Sequence, residues 1–204
     1  MPPAAGYNAE ISRKVLHLAA ALTPLVYLFI GRSTMLCLLG PCMALAVLIE
    51  VARHVSARFE TLFQRWLGFM VRATERGRVT GATYVMVGAL LSIWLFPKPI
   101  AIAVLLIQVI SDTAASLVGL RFGRTRFLGK SLAGSGAFFL TAVAILWIAW
   151  PASKGIGLLA ALIATIAEAL PSLRFGRFEL NDNLTVPLLT GAALWLLHAS
   201  AAQP

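Results

Sequence analysis

Charge is scarce in this chain. Of its 204 residues, 12% are charged and 59% hydrophobic, and the mean hydropathy is +0.85. So few charges cannot cover a water-soluble domain, which excludes the soluble classes and leaves a membrane protein. Acidic residues are scarcer still, 8 against 17 basic, for a net charge of +9. The cations are spread through short segments between apolar runs and are not gathered in one tail, which points to a cationic rim at a membrane surface and away from nucleic acid. Cysteine is nearly absent. Cys37 and Cys42 share one apolar segment, and their spacing along a helix turns them to different faces. They therefore read as small buried apolar residues, with neither a disulfide nor a shared metal between them. A cleavage site is also missing after Arg13-Lys14 and the apolar run behind it, so that run reads as a retained first span.

What is present is a series of seven apolar stretches, at roughly 15–30, 34–51, 79–96, 100–120, 133–150, 155–172 and 184–199. Each is near the minimum that crosses the hydrocarbon core as a helix. The expectation is an all-α integral membrane protein with about seven transmembrane helices in one domain, 1–204. Seven spans place the N-terminal segment on one side with the linkers 52–78, 121–132 and 173–183, and that side holds 14 of the 17 basic residues. Arg32, Lys98 and Lys154 fall on the other. The positive-inside rule then sets the N-terminus in and the C-terminus out, for a multi-pass protein of a prokaryotic inner membrane. The run Leu-Arg-Phe-Gly-Arg occurs at 120–124 and again at 173–177. So short a basic-aromatic run recurs easily beside membrane spans, and no duplication is read from it.

One linker is more than a loop. Across 54–72, Phe59, Leu62, Phe63, Trp66, Leu67 and Met70 recur at helical spacing, with Arg58, Thr61, Gln64, Arg65 and Arg72 mostly opposite. This describes an amphipathic helix lying in the cytoplasmic interface, a surface anchor or a lid beside a lipid entrance.

The acids Glu50, Asp112 and Glu168 all fall in the half of their helices that this topology turns to the cytoplasm. Asp112 lies eight residues before Leu120, about 12 Å below the helix end at the usual rise. A carboxylate at such depth marks a functional site facing a protein interior, and no span carries a deep Arg to explain it structurally. His17 sits one turn inside the first span, behind Glu10, Arg13 and Lys14. Asn181-Asp182-Asn183 opens the last. Glu50, beside Arg53 and His54, reads as a surface pair, and His198, near the far surface, as inert. Directly after Asp112 comes a Gly-rich stretch with Arg124, Lys130, Ser131 and Ser135, and a loop of amides, hydroxyls and cations suits phosphate. It is not a Walker A loop: five residues separate Gly123 from Gly129-Lys130-Ser131, one more than that motif allows, and no strand precedes it. These groups converge on a single cytoplasm-facing site for phosphoryl chemistry.

Together they resemble the CTP-dependent lipid kinases, the family of dolichol kinase, phytol kinase and the CTP-using diacylglycerol kinase, related to phosphatidate cytidylyltransferases. The resemblance runs through Glu10-x-x-Arg13-Lys14-x-x-His17, Gly81-Ala82-Thr83-Tyr84, Asp112-x-x-Ala115-x-x-x-Gly119 and Phe122-Gly123. It continues through Lys130-Ser131 with Gly134-Ser135, Glu168, and Asp182-Asn183-Leu184-Thr185-x-Pro187. Each piece is weak alone; their order and number are specific. Ser111 departs from the pattern, standing where Gly precedes the Asp. The chain also lacks the extra N-terminal spans of the dolichol kinases and is nearer the compact phytol-kinase-like members.

The resemblance implies Mg²⁺-dependent transfer of the γ-phosphoryl of CTP to a lipid alcohol, either a phytol-, polyprenol- or dolichol-like isoprenoid or diacylglycerol. It implies that Asp112, Lys130, Arg13 and Lys14 carry the chemistry. Gly119, Gly123, Arg124, Gly129, Ser131, Gly134, Ser135 and Asn183 would hold the nucleotide. Asp112, Glu168 and Asp182 would hold the metal, with Asp112 serving as ligand or as acceptor of the hydroxyl proton. His17 and Tyr84 would shape the lipid side. CTP in place of another nucleotide rests on the resemblance alone. Two rivals stand beside this reading. One is a cytidylyltransferase making a CDP-lipid. The other is a small cation-coupled transporter with Asp112 and Glu168 as relays, although transporters place such groups at the midplane.

Overall fold

Helices form at every one of the seven apolar stretches in the computed structural model, which describes residues 14, 17–68, 71, 77–149, 153–175 and 178–201. In chain order, α1 is Leu22–Phe29, α2 Arg32–Val55, α3 Ala57–Leu67, α4 Gly81–Leu95 and α5 Lys98–Leu106. They are followed by α6 Asp112–Phe122, α7 Leu132–Ala149, α8 Lys154–Ala169 and α9 Asp182–Ala201. A π-helical turn, Ile107–Ser111, joins α5 to α6, so that Lys98–Phe122 runs as one helix of 25 residues. Arg32–Val55, Lys98–Phe122 and Leu132–Ala149 are long and apolar enough to cross a membrane, while His17–Phe29 and Gly81–Leu95 are apolar but shorter.

A helix that is apolar all round has to be buried, and α5 is. Ile100, Ala101, Ala103, Val104 and Leu105 are almost wholly enclosed, with α1, α4, α7 and α9 packed around the helix. The helix α2 lies at the rim against α4. Its outer face explains one correction: Cys37 and Cys42 are exposed, not buried. The amphipathic helix is present as α3, shorter than the 54–72 pattern, with Ser56 capping it by accepting from the Phe59 N–H at 3.3 Å. Met70 and Arg72 lie outside the described residues. Leu62 and Trp66 are exposed on α3, whereas the Phe63 ring turns inward to lie 4.1 Å from the Arg53 guanidinium.

Two antiparallel hairpins occupy segments that read as loops: β1 Arg126–Phe127 with β2 Lys130–Ser131, and β3 Leu173–Phe175 with β4 Phe178–Leu180. Strands of two or three residues are too short to leave a readable period. The repeated pentapeptide takes two forms, since Leu120–Phe122 close α6 while Leu173–Phe175 form β3. It has no common structure to inherit.

Glu50 is the second correction. It is buried, and its Oε1 accepts from the Thr80 N–H at 2.9 Å, the Thr80 hydroxyl at 2.6 Å and the Thr83 hydroxyl at 3.0 Å. Its Oε2 accepts from Arg53 Nη1 at 3.1 Å, and Arg53, also buried, donates from Nε to Glu60 at 2.8 Å. That bond from Arg53 holds the Glu60 carboxyl below its usual range. One carboxylate thus fastens α2 to the start of α4, and Arg53 fastens α3 to α2. Glu50→Ala removes the acceptor of the Thr80 N–H, the Thr80 and Thr83 hydroxyls and Arg53 Nη1, although Arg53 keeps Glu60, an effect of about 2–3 kcal/mol. Thermal unfolding in detergent should show a clear fall in the midpoint; an unchanged midpoint would show that this network holds nothing together.

Candidate active site

Asp112 opens α6 immediately after the π-helical turn. The turn carries Gln108, Val109 and Ser111 as buried residues, and the Thr113 hydroxyl returns to the Val109 carbonyl at 2.7 Å. Such turns reset which side chains face a neighbour; here both Gln108 and Asp112 border one cavity. Lys14, buried itself, forms an ion pair with Asp112 Oδ2. His17 Nε2 lies 3.4 Å from the same oxygen and 3.4 Å from the Gln108 carbonyl. Lys14 and His17 are thereby held against the middle of the chain.

Lys130 organises the other half of the site. The β1–β2 hairpin turns at Leu128, whose φ of 51° is a left-handed value rare for leucine, and its tip docks on α8 through the Gly129 N–H to the Ala169 carbonyl at 2.8 Å. This carries Lys130 Nζ to within 2.8 Å of Asp182 Oδ2 and 3.1 Å of Glu168 Oε1. Burial lowers the affinity of the ammonium for its proton, but the Asp182 and Glu168 carboxylates outweigh this and push Lys130 above the ordinary lysine range. It stays cationic at any physiological pH. The side chain is 37% exposed against 4% for Glu168, so Lys130 is open to the outside while Glu168 faces inward. Asp182 Oδ1 and Asn181 Oδ1 both accept from the Asn183 N–H at 3.0 Å, which secures the first turn of α9.

The two charged groups border the same cavity. Gln108, Asp112, Phe138, Glu168, Asp182, Asn183 and Val186 line its roughly 10 Å³, room for about one water. Gln108 was not singled out by sequence reasoning. It precedes Asp112 by four residues, one turn along the same helical face, and a polar side chain at that spacing in an apolar run was the available signal. Its Nε2 donates to the Asn183 carbonyl at 2.5 Å. Gly88 permits this approach of α9: a Cβ there would lie 2.5 Å from the Asn183 carbonyl oxygen and 3.5 Å from Gln108 Nε2.

The Gly-rich stretch divides differently from its sequence pattern. Leu132 already begins α7, so Gly134 and Ser135 belong to a helix and not to a loop. Gly134 serves close packing, since a Cβ there would meet the Ala115 carbonyl at 2.9 Å, and one on Gly119 would meet Ser131 Oγ at 2.9 Å. Ser131 Oγ accepts from the Gly134 N–H at 3.1 Å. Ser135 Oγ is buried with no hydrogen-bond partner. Gly123 and Arg124 follow α6, with Arg124 exposed, and Tyr84 is buried on α4. Arg13 lies outside the described residues.

Mg²⁺ suits the oxygen donors here. Glu168 Oε2 and Gln108 Oε1 are buried without a partner, beside the carboxylates of Asp112 and Asp182. Among the described residues no three His, Cys, Asp or Glu side chains gather into a cage. Mg²⁺ typically takes one or two carboxylates and completes its shell with water and phosphate.

No family model matches the chain, and no solved structure matches it significantly. An uncharacterised protein of Rickettsia prowazekii is 31% identical over 190 residues, covering 89% of this chain and 91% of that protein. CTP-dependent diacylglycerol kinase 1 of Schizosaccharomyces pombe is 28% identical over 166 residues, covering 72% of this chain and 74% of the yeast protein. The Saccharomyces cerevisiae protein of the same name is 26% identical, covering 89% of this chain and 71% of its own. The chain therefore belongs to one family with the rickettsial protein, and its homologues named as CTP-dependent diacylglycerol kinases support placing it among the CTP-dependent lipid kinases.

Proposed function

We propose that this protein transfers the γ-phosphoryl group of CTP to the hydroxyl of a lipid alcohol at the cytoplasmic face of its membrane. The observation that supports this reading is that Asp112, paired with Lys14, and Glu168 and Asp182, paired with Lys130, line one cavity at one end of an apolar bundle. Diacylglycerol is the first acceptor to try, because the named homologues are diacylglycerol kinases; isoprenoid alcohols present the same hydroxyl.

Phosphoryl transfer asks mainly for positioning and charge neutralisation. The exposed part of Lys130 receives the triphosphate from the aqueous side, and Lys14 and Arg13 offer cations from the N-terminal segment. The lipid keeps its tail in the membrane and brings its hydroxyl to Asp112. The hydroxyl oxygen bonds to the γ-phosphorus, the bond from that phosphorus to the β-phosphate oxygen breaks, and CDP leaves. The hydroxyl proton passes to the Asp112 carboxylate, which His17 and Lys14 hold in place. Glu168 and Asp182 would hold Mg²⁺, which would supply charge neutralisation for the triphosphate.

Sealed vesicles of known orientation test both chemistry and topology. With CTP labelled at the γ position, inside-out vesicles should give labelled lipid phosphate and right-side-out vesicles none. With label at the α position, it should stay in water-soluble CDP. Label from the α position entering lipid would indicate CDP-lipid synthesis; equal activity from both orientations would overturn the topology. Asp112→Asn keeps the side-chain volume and removes the proton acceptor. Its kcat should fall by about 10²-fold or more while CTP binding stays within a few-fold, and near-normal turnover would remove Asp112 from the chemistry.

A further inference from the structure

We propose that Gln108 supplies, through its side-chain oxygen, an inner ligand to the divalent cation, jointly with Glu168 Oε2. The inference deepens the kinase reading and rests on it for the identity of the cation. Gln108 is 2% exposed and Glu168 3%, both line the cavity, and each keeps one oxygen that is buried without a hydrogen-bond partner. A buried acceptor left unpaired is unfavourable, and two in one small cavity call for a shared positive or proton-donating partner.

The orientation of the Gln108 amide is settled by its neighbour. The Asn183 carbonyl can only accept, so the nitrogen must point to it at 2.5 Å and the oxygen is the atom left over. Glu168 is divided in the same manner, with Oε1 on Lys130 at 3.1 Å and Oε2 free. Both leftover atoms are hard oxygen donors, the kind that Mg²⁺ and Mn²⁺ prefer. The charges fit as well. Asp112, Glu168 and Asp182 bring three carboxylates, while Lys14 and Lys130 bring two ammonium groups, which leaves the site short of positive charge. The π-helical turn and Gly88 both serve this placement, one by setting where Gln108 faces and the other by admitting the Asn183 carbonyl that orients its amide.

The test uses purified full-length protein and Mn²⁺ alone, read by thermal stabilisation and by electron paramagnetic resonance of free Mn²⁺, with no CTP present. Wild type should bind Mn²⁺. Gln108→Met is nearly isosteric and replaces a hard donor with a soft one. It should lower Mn²⁺ affinity at least about tenfold, since even outer-shell partners of a metal contribute that much, and should shift preference toward Cd²⁺. Gln108→Asn keeps the amide but withdraws its oxygen by one methylene, so it too should weaken Mn²⁺ binding, and it stands as the test should the Met variant fail to fold. Unchanged Mn²⁺ affinity in either folded variant, or no Mn²⁺ binding by wild type, would overturn the assignment. Lipid phosphorylation by wild type alongside such a result would leave the kinase reading standing. Mn²⁺ binding altered as expected, with no lipid phosphorylated, would sink the kinase reading alone.

Discussion

A carboxylate enclosed by apolar helices has to be given a cation, and this requirement shapes one end of the molecule. Asp112 receives Lys14 from 98 residues away, Asp182 receives Lys130 from 52 residues away, and Glu50 receives Arg53 and the two threonines that begin α4. Removing one member of such a pair leaves a buried charge uncompensated, an effect of several kcal/mol, so each pairing ties distant segments into one arrangement. The opposite end is held by different means. Lys98 donates to the Leu28 and Ile30 carbonyls at 3.1 and 2.9 Å, and Arg32 to the Phe96 carbonyl at 2.7 Å. There the cations satisfy helix-terminal carbonyls, and among the described residues no acid is paired with them.

This division explains what could be read before the structure was seen. Hydropathy located a helix at each of the seven apolar stretches, because each is apolar over most of its length, and the depth of Asp112 and Glu168 marked them because a charge in an apolar run has few explanations. Glu50 escaped because its partners Thr80 and Thr83 come from another helix, while Arg53 on its own helix imitated a surface pair. Gln108 escaped because a neutral amide is a weaker signal than a charge, and only the unpaired oxygen and the neighbouring cavity give it weight. The Gly-rich stretch was legible as important but not in its division of labour. Spacing alone does not tell a glycine that admits a neighbouring helix, as Gly134 does, from one that offers its amide to a ligand.

The arrangement also separates two routes of approach. Lys130 reaches the site from a hairpin outside the helices and stays partly exposed, whereas Asp112, Gln108 and Glu168 lie behind it against α7 and α9. In the proposed reaction the nucleotide meets the hairpin side and the lipid hydroxyl meets Asp112, so the γ-phosphorus comes to lie between them. A cavity of about 10 Å³ has room for about one water and cannot enclose a nucleotide or a lipid. The nucleoside and the lipid tail lie outside it, which limits how strongly this cavity selects either one. In the proposed reaction, discrimination among lipid alcohols falls to helix faces outside this cavity.

The central claim is that the cations drawn to this end by buried carboxylates also receive the triphosphate. A structure of the protein in a lipid nanodisc with Mg²⁺ and a non-hydrolysable CTP analogue tests it most directly. The account predicts phosphate oxygens within hydrogen-bonding distance of Lys130 Nζ, with the terminal phosphate facing Asp112. An analogue bound at the end of the bundle where Lys98 and Arg32 lie, or anywhere out of reach of Lys130 and Asp112, would contradict it.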